Sequence, residues 1–147
     1  MPPFARAGRN GTVPSSAIFD ASVVVRWVVD DPLTPAAIEA SETWAPVAPT
    51  LLGSEFANAL RSQAKAGRYE ADWCLAQITR LTKLIDLRDE REHWPLALKL
   101  GLERDHAVYD CVYVAMAVSL ALPLITADSR LTNKFSDLPG LDLRPLR

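Results

Sequence analysis

The chain has 147 residues, a length typical of a single domain that buries a core without disulfide or metal crosslinks. Apolar residues make up 49% of the chain and charged residues 23%, as in ordinary globular proteins, and the formal net charge of −2 excludes a general attraction to polyanions. Any contact with nucleic acid therefore requires a local basic patch.

The cysteines, the apolar runs and the N-terminus indicate a cytoplasmic protein. Cys74 and Cys111 lie far apart and form no C-x-x-C pair, which is typical of free thiols in a reducing compartment. No stretch of about 18 apolar residues is free of charge, so no membrane-spanning helix is predicted. Residues 1–15 lack the apolar segment of a secretory signal, and they are predicted to form a flexible tail ahead of one domain at 16–147.

The first half of the domain alternates strand and helix signals. The valine-rich run ASVVVRWVVDDP is compatible with either a strand or a helix. Around it, the pattern predicts a strand at 17–20, a helix at 35–44 with proline at its start, an extended segment at 46–50, a helix at 51–66 closed by Gly67, and a helix at about 68–83.

The second half continues the alternation. The predicted elements are a strand at 83–89, a helix at 90–103, a helix at 108–121, a short buried strand at 123–126, a short helix at 128–134 and a last strand within 141–146. Alternating strands and helices predict an α/β layer fold with a parallel sheet. In such folds ligands bind beyond the carboxyl ends of the strands.

Carboxylates fall where a sheet of this kind would gather them. Asp20 ends the first strand and Asp128 follows the strand at 123–126, so both are expected at the carboxyl edge of the sheet. Asp110 begins a helix, and Glu55 lies in the first turn or so of another. Together they predict one acidic site.

Each acid also has a simpler explanation. The two helical acids would be favourable partners for a helix dipole, and the two strand-end acids would cap the helices that follow them. Glu55 nevertheless shares a polar stripe with Asn58 and Ser62, at i+3 and i+7, which favours a stripe directed at a site.

Four converging carboxylates require protonation or a cation. Two of them about 5 Å apart repel by roughly 3 kcal/mol at an effective dielectric constant near 20. An all-oxygen ligand set with open positions is typical of Mg²⁺ or Mn²⁺. His93 and His106 have no zinc-ligand spacing, and nothing in the sequence brings them together as an acid–base pair for RNA cleavage.

Four ordered motifs, AIFDASVVV, SEFANAL, HAVYDCVYVAMA and LPLITADSRL, resemble the PIN-domain family and, within it, the VapC toxins of toxin–antitoxin pairs. The resemblance implies a three-layer α/β/α sandwich with a central parallel sheet. It also implies a metal-dependent endoribonuclease that uses Mg²⁺ or Mn²⁺, forms a homodimer and is neutralised by a VapB-like antitoxin.

The resemblance also suggests roles for individual residues. Asp20, Glu55, Asp110 and Asp128 would be the metal-binding catalytic acids, and Ser22 and Thr126 would be the hydroxyls that orient water at the metal. Asn58 matches a polar neighbour of the glutamate. Among the basic residues that would attract RNA, Arg61 lies near the Glu55 stripe and Arg130 follows Asp128 by two residues.

Two functions of other classes remain to be weighed. A receiver-type signalling domain would need an acidic pair after the first strand, whereas Asp20 is followed by Ala21. A PIN-like protein that binds RNA or a partner without catalysis would keep the same fold, because fold does not settle activity. The intact acids count against this second alternative without excluding it.

Overall fold

The computed structural model describes residues 13–147, in which five strands form one parallel sheet. The strands are β1 (Ser16–Phe19), β2 (Ala45–Pro49), β3 (Asp86–Arg88), β4 (Leu124–Thr126) and β5 (Leu143–Pro145). The helices in this range are α1 (Ala21–Val24), α2 (Thr34–Thr43), α3 (Leu51–Lys65), α4 (Ala71–Leu84), α5 (Trp94–Arg104), α6 (Val108–Leu120) and α7 (Ser129–Phe135), with 3₁₀ turns at Val25–Trp27 and Arg91–His93.

The strand order β3-β2-β1-β4-β5 places the reversal of the sheet between β1 and β4. Ile18 of β1 pairs with Val47 on one side and Leu124 on the other. In an open parallel sheet this reversal opens a crevice at the carboxyl ends of the two strands. The predicted α/β sandwich with a central parallel sheet is confirmed, and the crevice lies where Asp20 and Asp128 leave β1 and β4.

Helix α6 forms the centre of the core. Its residues Cys111–Ala117 are all buried, and it packs on β1, β2, β4 and α5. A helix that is apolar on all sides must be surrounded by other elements. The start of α6 is less buried than its middle, so Asp110 stands at the boundary between core and solvent.

The valine-rich segment after β1 is helical, which resolves the ambiguity between strand and helix. Asp20 caps α1 by accepting a hydrogen bond from the Ser22 N–H, and the chain continues into the 3₁₀ turn. This cap outweighs the β preference of the valines, because it satisfies a helix donor at the moment the chain leaves the sheet. The helix predicted from residue 68 begins instead at Ala71, since Glu70 before it has an extended backbone with φ of −69° and ψ of 145°.

Most of the predicted tail at 1–15 lies outside the described residues. The domain boundary at residue 16 therefore stays a prediction, although β1 begins at Ser16. Between residues 13 and 147, no helix has the length and apolar character that crossing a bilayer requires.

Candidate active site

Asp20 is the centre of a hydrogen-bond network at the carboxyl ends of β1 and β4. The side chain is buried, and its Oδ1 accepts hydrogen bonds from the backbone N–H (2.9 Å) and the hydroxyl of Ser22. Its Oδ2 accepts a hydrogen bond from the Thr126 hydroxyl at 2.5 Å. Both hydroxyls that were predicted to serve the site therefore contact this one carboxylate.

The same hydroxyls fix the loop that follows β4. The Ala127 N–H donates to Ser22 Oγ at 2.9 Å, and the Asp128 N–H donates to Thr126 Oγ1 at 3.0 Å. Each hydroxyl thus donates to Asp20 and accepts an N–H group of the loop after β4. The network ties the two strand ends together and sets the direction in which Asp128 leaves the sheet.

Burial raises the pKa of Asp20 to about 6, against an ordinary value of 3.8. The hydrogen bonds from Ser22 and Thr126 partly offset this rise, and the nearby charge of Asp128 adds to it. A carboxyl group with this pKa is poised between its neutral and charged forms near neutral pH.

Glu55, on the second turn of α3, is the second acid with a raised pKa. Its Oε1 accepts a hydrogen bond from the Tyr113 hydroxyl at 2.5 Å. Desolvation raises the pKa of Glu55 to about 7, the Tyr113 hydrogen bond opposes this, and the charges of Asp110, Asp20 and Glu90 raise it further. The acids whose charges raise the pKa of Glu55 stand on α6, at the end of β1 and just after β3.

Asp110 and Asp128 are each held by a donor of their own. Asp110 Oδ2 lies 2.8 Å from Nε2 of His106, one turn earlier in the chain. Asp128 caps α7, because its Oδ1 accepts the N–H groups of Arg130 (2.9 Å) and Leu131 (3.4 Å). The capping explanation is therefore confirmed for Asp20 and Asp128, and their role in a metal site stays a prediction.

The convergence of the four carboxylates on one cation stays a prediction. Across residues 13–147, no three or more histidine, cysteine, aspartate or glutamate side chains are placed to share one ion. The donor chemistry nevertheless fits Mg²⁺ or Mn²⁺, since the gathered ligands are oxygens and two of the acids carry a raised pKa that a cation would relieve.

An open groove of about 500 Å³ runs beside Asp110 and Asp128. Three polar side chains of α7 line its other side: Arg130, Asn133 and Lys134. Within residues 13–147, neither basic side chain of this group makes an ion pair. The groove therefore pairs a carboxylate wall with a basic wall.

The other two predicted substrate-binding residues lie elsewhere on α3. Asn58 is exposed, and its carbonyl oxygen accepts the Ser62 hydroxyl at 3.2 Å. Arg61 lines a separate apolar groove of about 260 Å³ between α3 and α4, together with Leu60, Leu75 and Ile78. Arg61 is six residues from Glu55, a spacing that turns it onto a different face of the helix.

Sequence reasoning missed three residues of this site. His106 and Tyr113 supply donors to Asp110 and Glu55, and Glu90 both adds charge near Glu55 and accepts the Leu51 N–H at 3.1 Å. The i,i+4 spacing of His106 and Asp110 was a readable signal. The other contacts join residues far apart in the sequence and carry no local signal.

Comparison with known proteins identifies the family of this chain. Residues 17–136 match the family model of the PIN domain. The chain is 37% identical over 96 residues to Ribonuclease VapC1 of Mycobacterium tuberculosis, an alignment that covers 64% of this chain and 68% of that protein.

Solved structures share the fold at lower identity. The VapC20 toxin of Mycobacterium tuberculosis, described as cleaving the sarcin–ricin loop, superposes with a TM-score of 0.63 at 17% identity over 88% of this chain and 100% of that one. A toxin–antitoxin complex from Klebsiella pneumoniae gives a TM-score of 0.61 at 20% identity, covering 86% and 95% of the two chains. With the family model matching most of its length, the chain belongs to the PIN-domain family.

Proposed function

We propose that this chain is a VapC-type toxin, a metal-dependent endoribonuclease that hydrolyses RNA phosphodiesters and is neutralised by a VapB-like antitoxin. The observation that carries the proposal is the group of acids at the carboxyl ends of β1 and β4, in which burial and mutual repulsion raise the pKa of Asp20 to about 6 and of Glu55 to about 7. The ribonuclease relative and the toxin–antitoxin neighbours support the same function.

The four acids Asp20, Glu55, Asp110 and Asp128 would hold Mg²⁺ or Mn²⁺. When bound, such an ion supplies a water of lowered pKa and charge stabilisation for the leaving oxygen. Ser22 and Thr126 orient Asp20 through their hydroxyls. Arg130, on the basic wall of the groove, would attract the phosphates of the RNA strand toward the acids.

The antitoxin is assigned to the apolar groove between α3 and α4. Leu75 stands 67% exposed there, and Ala57, Ala64 and Ile78 continue the apolar lining beside Arg61. An amphipathic segment that fills such a groove with apolar side chains fits this surface. Arg61, predicted to contact RNA, would instead contact this partner.

A second apolar surface supports the homodimer. Trp94, Leu98 and Leu102 are exposed on α5 at i, i+4 and i+8, so they form one stripe. Contiguous exposed apolar side chains on one helix face are typical of an interaction surface. Cys74 and Cys111 are buried free thiols, in keeping with a protein that acts in the reducing cytoplasm.

The test is RNA cleavage by protein purified without antitoxin. A panel of structured and single-stranded RNAs is incubated with Mg²⁺ or Mn²⁺ and with chelator, for wild-type protein and for Asp20→Asn and Asp110→Asn. Asp142→Asn is the matched control, because Asp142 is exposed and, among residues 13–147, its side chain pairs with Arg144 alone at 3.1 Å. We expect metal-dependent cleavage that both site variants lose by at least about 100-fold and the control keeps.

Cleavage that survives the chelator would contradict the metal mechanism. Metal binding without cleavage of any RNA would favour the alternative, a PIN-like protein that binds RNA or a partner without catalysis.

A further inference from the structure

We infer that His106 is the positioning residue of Asp110: it holds one oxygen of that carboxylate and leaves the other directed to the site cation. This inference rests on the proposed function and adds to it a residue outside the acidic quartet. His106 also lines the groove between the acids and α7, which places it beside the path proposed for RNA.

The contact has a defined chemical direction. His106 Nε2 lies 2.8 Å from Asp110 Oδ2, and an ionised carboxylate only accepts hydrogen bonds. Nε2 must therefore carry a hydrogen and donate it. Nε2 in this state offers no lone pair to a cation, so it acts on the metal through Asp110 rather than as a ligand.

The His106 ring is itself held in place. Its backbone N–H donates to the Gly101 carbonyl at 3.1 Å, and its ring packs edge-on against Phe135 with centroids 5.6 Å apart. A Cβ on Gly101 would lie 2.9 Å from the His106 carbonyl oxygen, so glycine is what allows the loop to approach α5 this closely. The side chain is 10% exposed, which leaves it little freedom to move.

Asp110 depends on this donor more than Asp20 or Asp128 depends on any one of its donors. Between residues 13 and 147, His106 is its only hydrogen-bond partner, whereas Asp20 and Asp128 each accept several hydrogen bonds. The Asp110 side chain is 32% exposed and would otherwise exchange between rotamers in water.

A common arrangement connects three of the acids. Glu55, Asp110 and Asp128 each have one oxygen bound by a protein donor and a second oxygen with no partner among residues 13–147. In that range no buried side-chain polar atom lacks a partner, so these second oxygens reach solvent. His106 therefore does for Asp110 what Tyr113 does for Glu55: it reserves one oxygen and presents the other.

The test measures metal affinity directly. Mn²⁺ binding is followed by calorimetry for wild-type protein, His106→Ala and His106→Gln, and thermal unfolding is recorded for each. Outer donors of metal ligands typically contribute 10- to 100-fold to affinity, so we expect His106→Ala to weaken Mn²⁺ binding by about that factor. Glutamine carries an N–H near the position of Nε2, and we expect His106→Gln to stay within about threefold of wild type.

His93→Gln is the matched control, because it makes the same change at the other histidine, whose charged neighbour is the exposed Glu92 at 3.5 Å. We expect it to leave Mn²⁺ affinity unchanged. Wild-type affinity in folded His106→Ala would overturn the inference while leaving the proposed function intact, and so would a loss in folded His106→Gln equal to that of His106→Ala. Wild-type protein that neither bound Mn²⁺ nor cut RNA would overturn both.

Discussion

Tyr113 and Glu55, 58 positions apart in the sequence, meet at 2.5 Å across the interface of α6 and α3. The tyrosine ring is buried in the core, and its hydroxyl is the group that reaches the acid. Burial raises the pKa of the Tyr113 hydroxyl, with the negative charge of Glu55 as a further cause, so the phenol stays protonated and acts as a donor. Helix α6 thereby places the Tyr113 hydroxyl at the edge of the candidate active site.

Replacing Tyr113 by phenylalanine removes this donor and keeps the ring. The hydrogen bond lowers the pKa of Glu55, so we expect that pKa to rise above its present value of about 7. The acidic limb of the pH–rate profile for RNA cleavage then moves to higher pH. Loss of the hydrogen bond also lowers the free energy of unfolding by about 1 kcal/mol. A pH–rate profile identical to that of wild type would contradict this role for Tyr113.

The raised pKa values of Asp20 and Glu55 predict how stability depends on pH without metal. Both groups bind protons more tightly when folded than when unfolded, so their contribution is present below the unfolded pKa, near 4, and is lost as the pH rises through about 6 and 7. In the presence of chelator, we expect the thermal unfolding midpoint to decrease as the pH is raised from 5 to 8. In an Asp20→Asn, Glu55→Gln double variant this slope should flatten, and an equal slope would assign it to other groups.

Divalent metal should stabilise the folded protein more as the pH rises, which is opposite to the trend expected without metal. Its ligands must be ionised, so Mn²⁺ should raise the unfolding midpoint more at pH 8 than at pH 5. The measurement is the same thermal scan with and without Mn²⁺. Equal stabilisation at both pH values would indicate binding away from these two acids.

Lys134 lies one helical turn beyond Arg130 and lines the same groove. Lys134→Ala should weaken RNA binding and reduce the slope of log affinity against log salt by about 0.7, the value for one phosphate contact on a single strand. Lys83→Ala is the control, since Lys83 is exposed on α4 and lines none of these grooves. The salt dependence of RNA binding is measured by fluorescence anisotropy for both lysine variants in an Asp20→Asn background. The slope should decrease for Lys134→Ala and stay unchanged for Lys83→Ala.

The two apolar surfaces should separate two kinds of association. Leu102, 76% exposed on α5, belongs to the stripe assigned to the homodimer, and Leu75 belongs to the groove assigned to the antitoxin. Leu102→Glu should shift the protein toward monomer in sedimentation experiments and keep antitoxin binding, because a buried unpaired charge is costly. Leu75→Glu should weaken antitoxin binding and leave the dimer intact. The assignments would be wrong if each variant affected the other association instead.

Local sequence patterns were sufficient to predict the fold and to identify the candidate acids. Short apolar runs bounded by prolines and separated by helical periods predicted the parallel sheet, and Asp20 and Asp128 followed two of its strands within two residues. Those properties depend on neighbours within one or two turns, so they are readable without tertiary structure. The valine-rich segment after β1 was undecided for the same reason: its own propensity opposed the cap that Asp20 provides.

Tertiary packing decided what each acid contacts. The Thr126–Asp20 hydrogen bond spans 106 positions and the Tyr113–Glu55 hydrogen bond spans 58, and no periodicity encodes either. Packing also turned Arg61 toward the α3–α4 groove and Arg130 toward the acids. The sequence by itself determined which side chains reach the carboxyl edge of the sheet, whereas the donors that direct them were decided by packing, because a hydrogen bond depends on position and orientation that only the assembled core supplies.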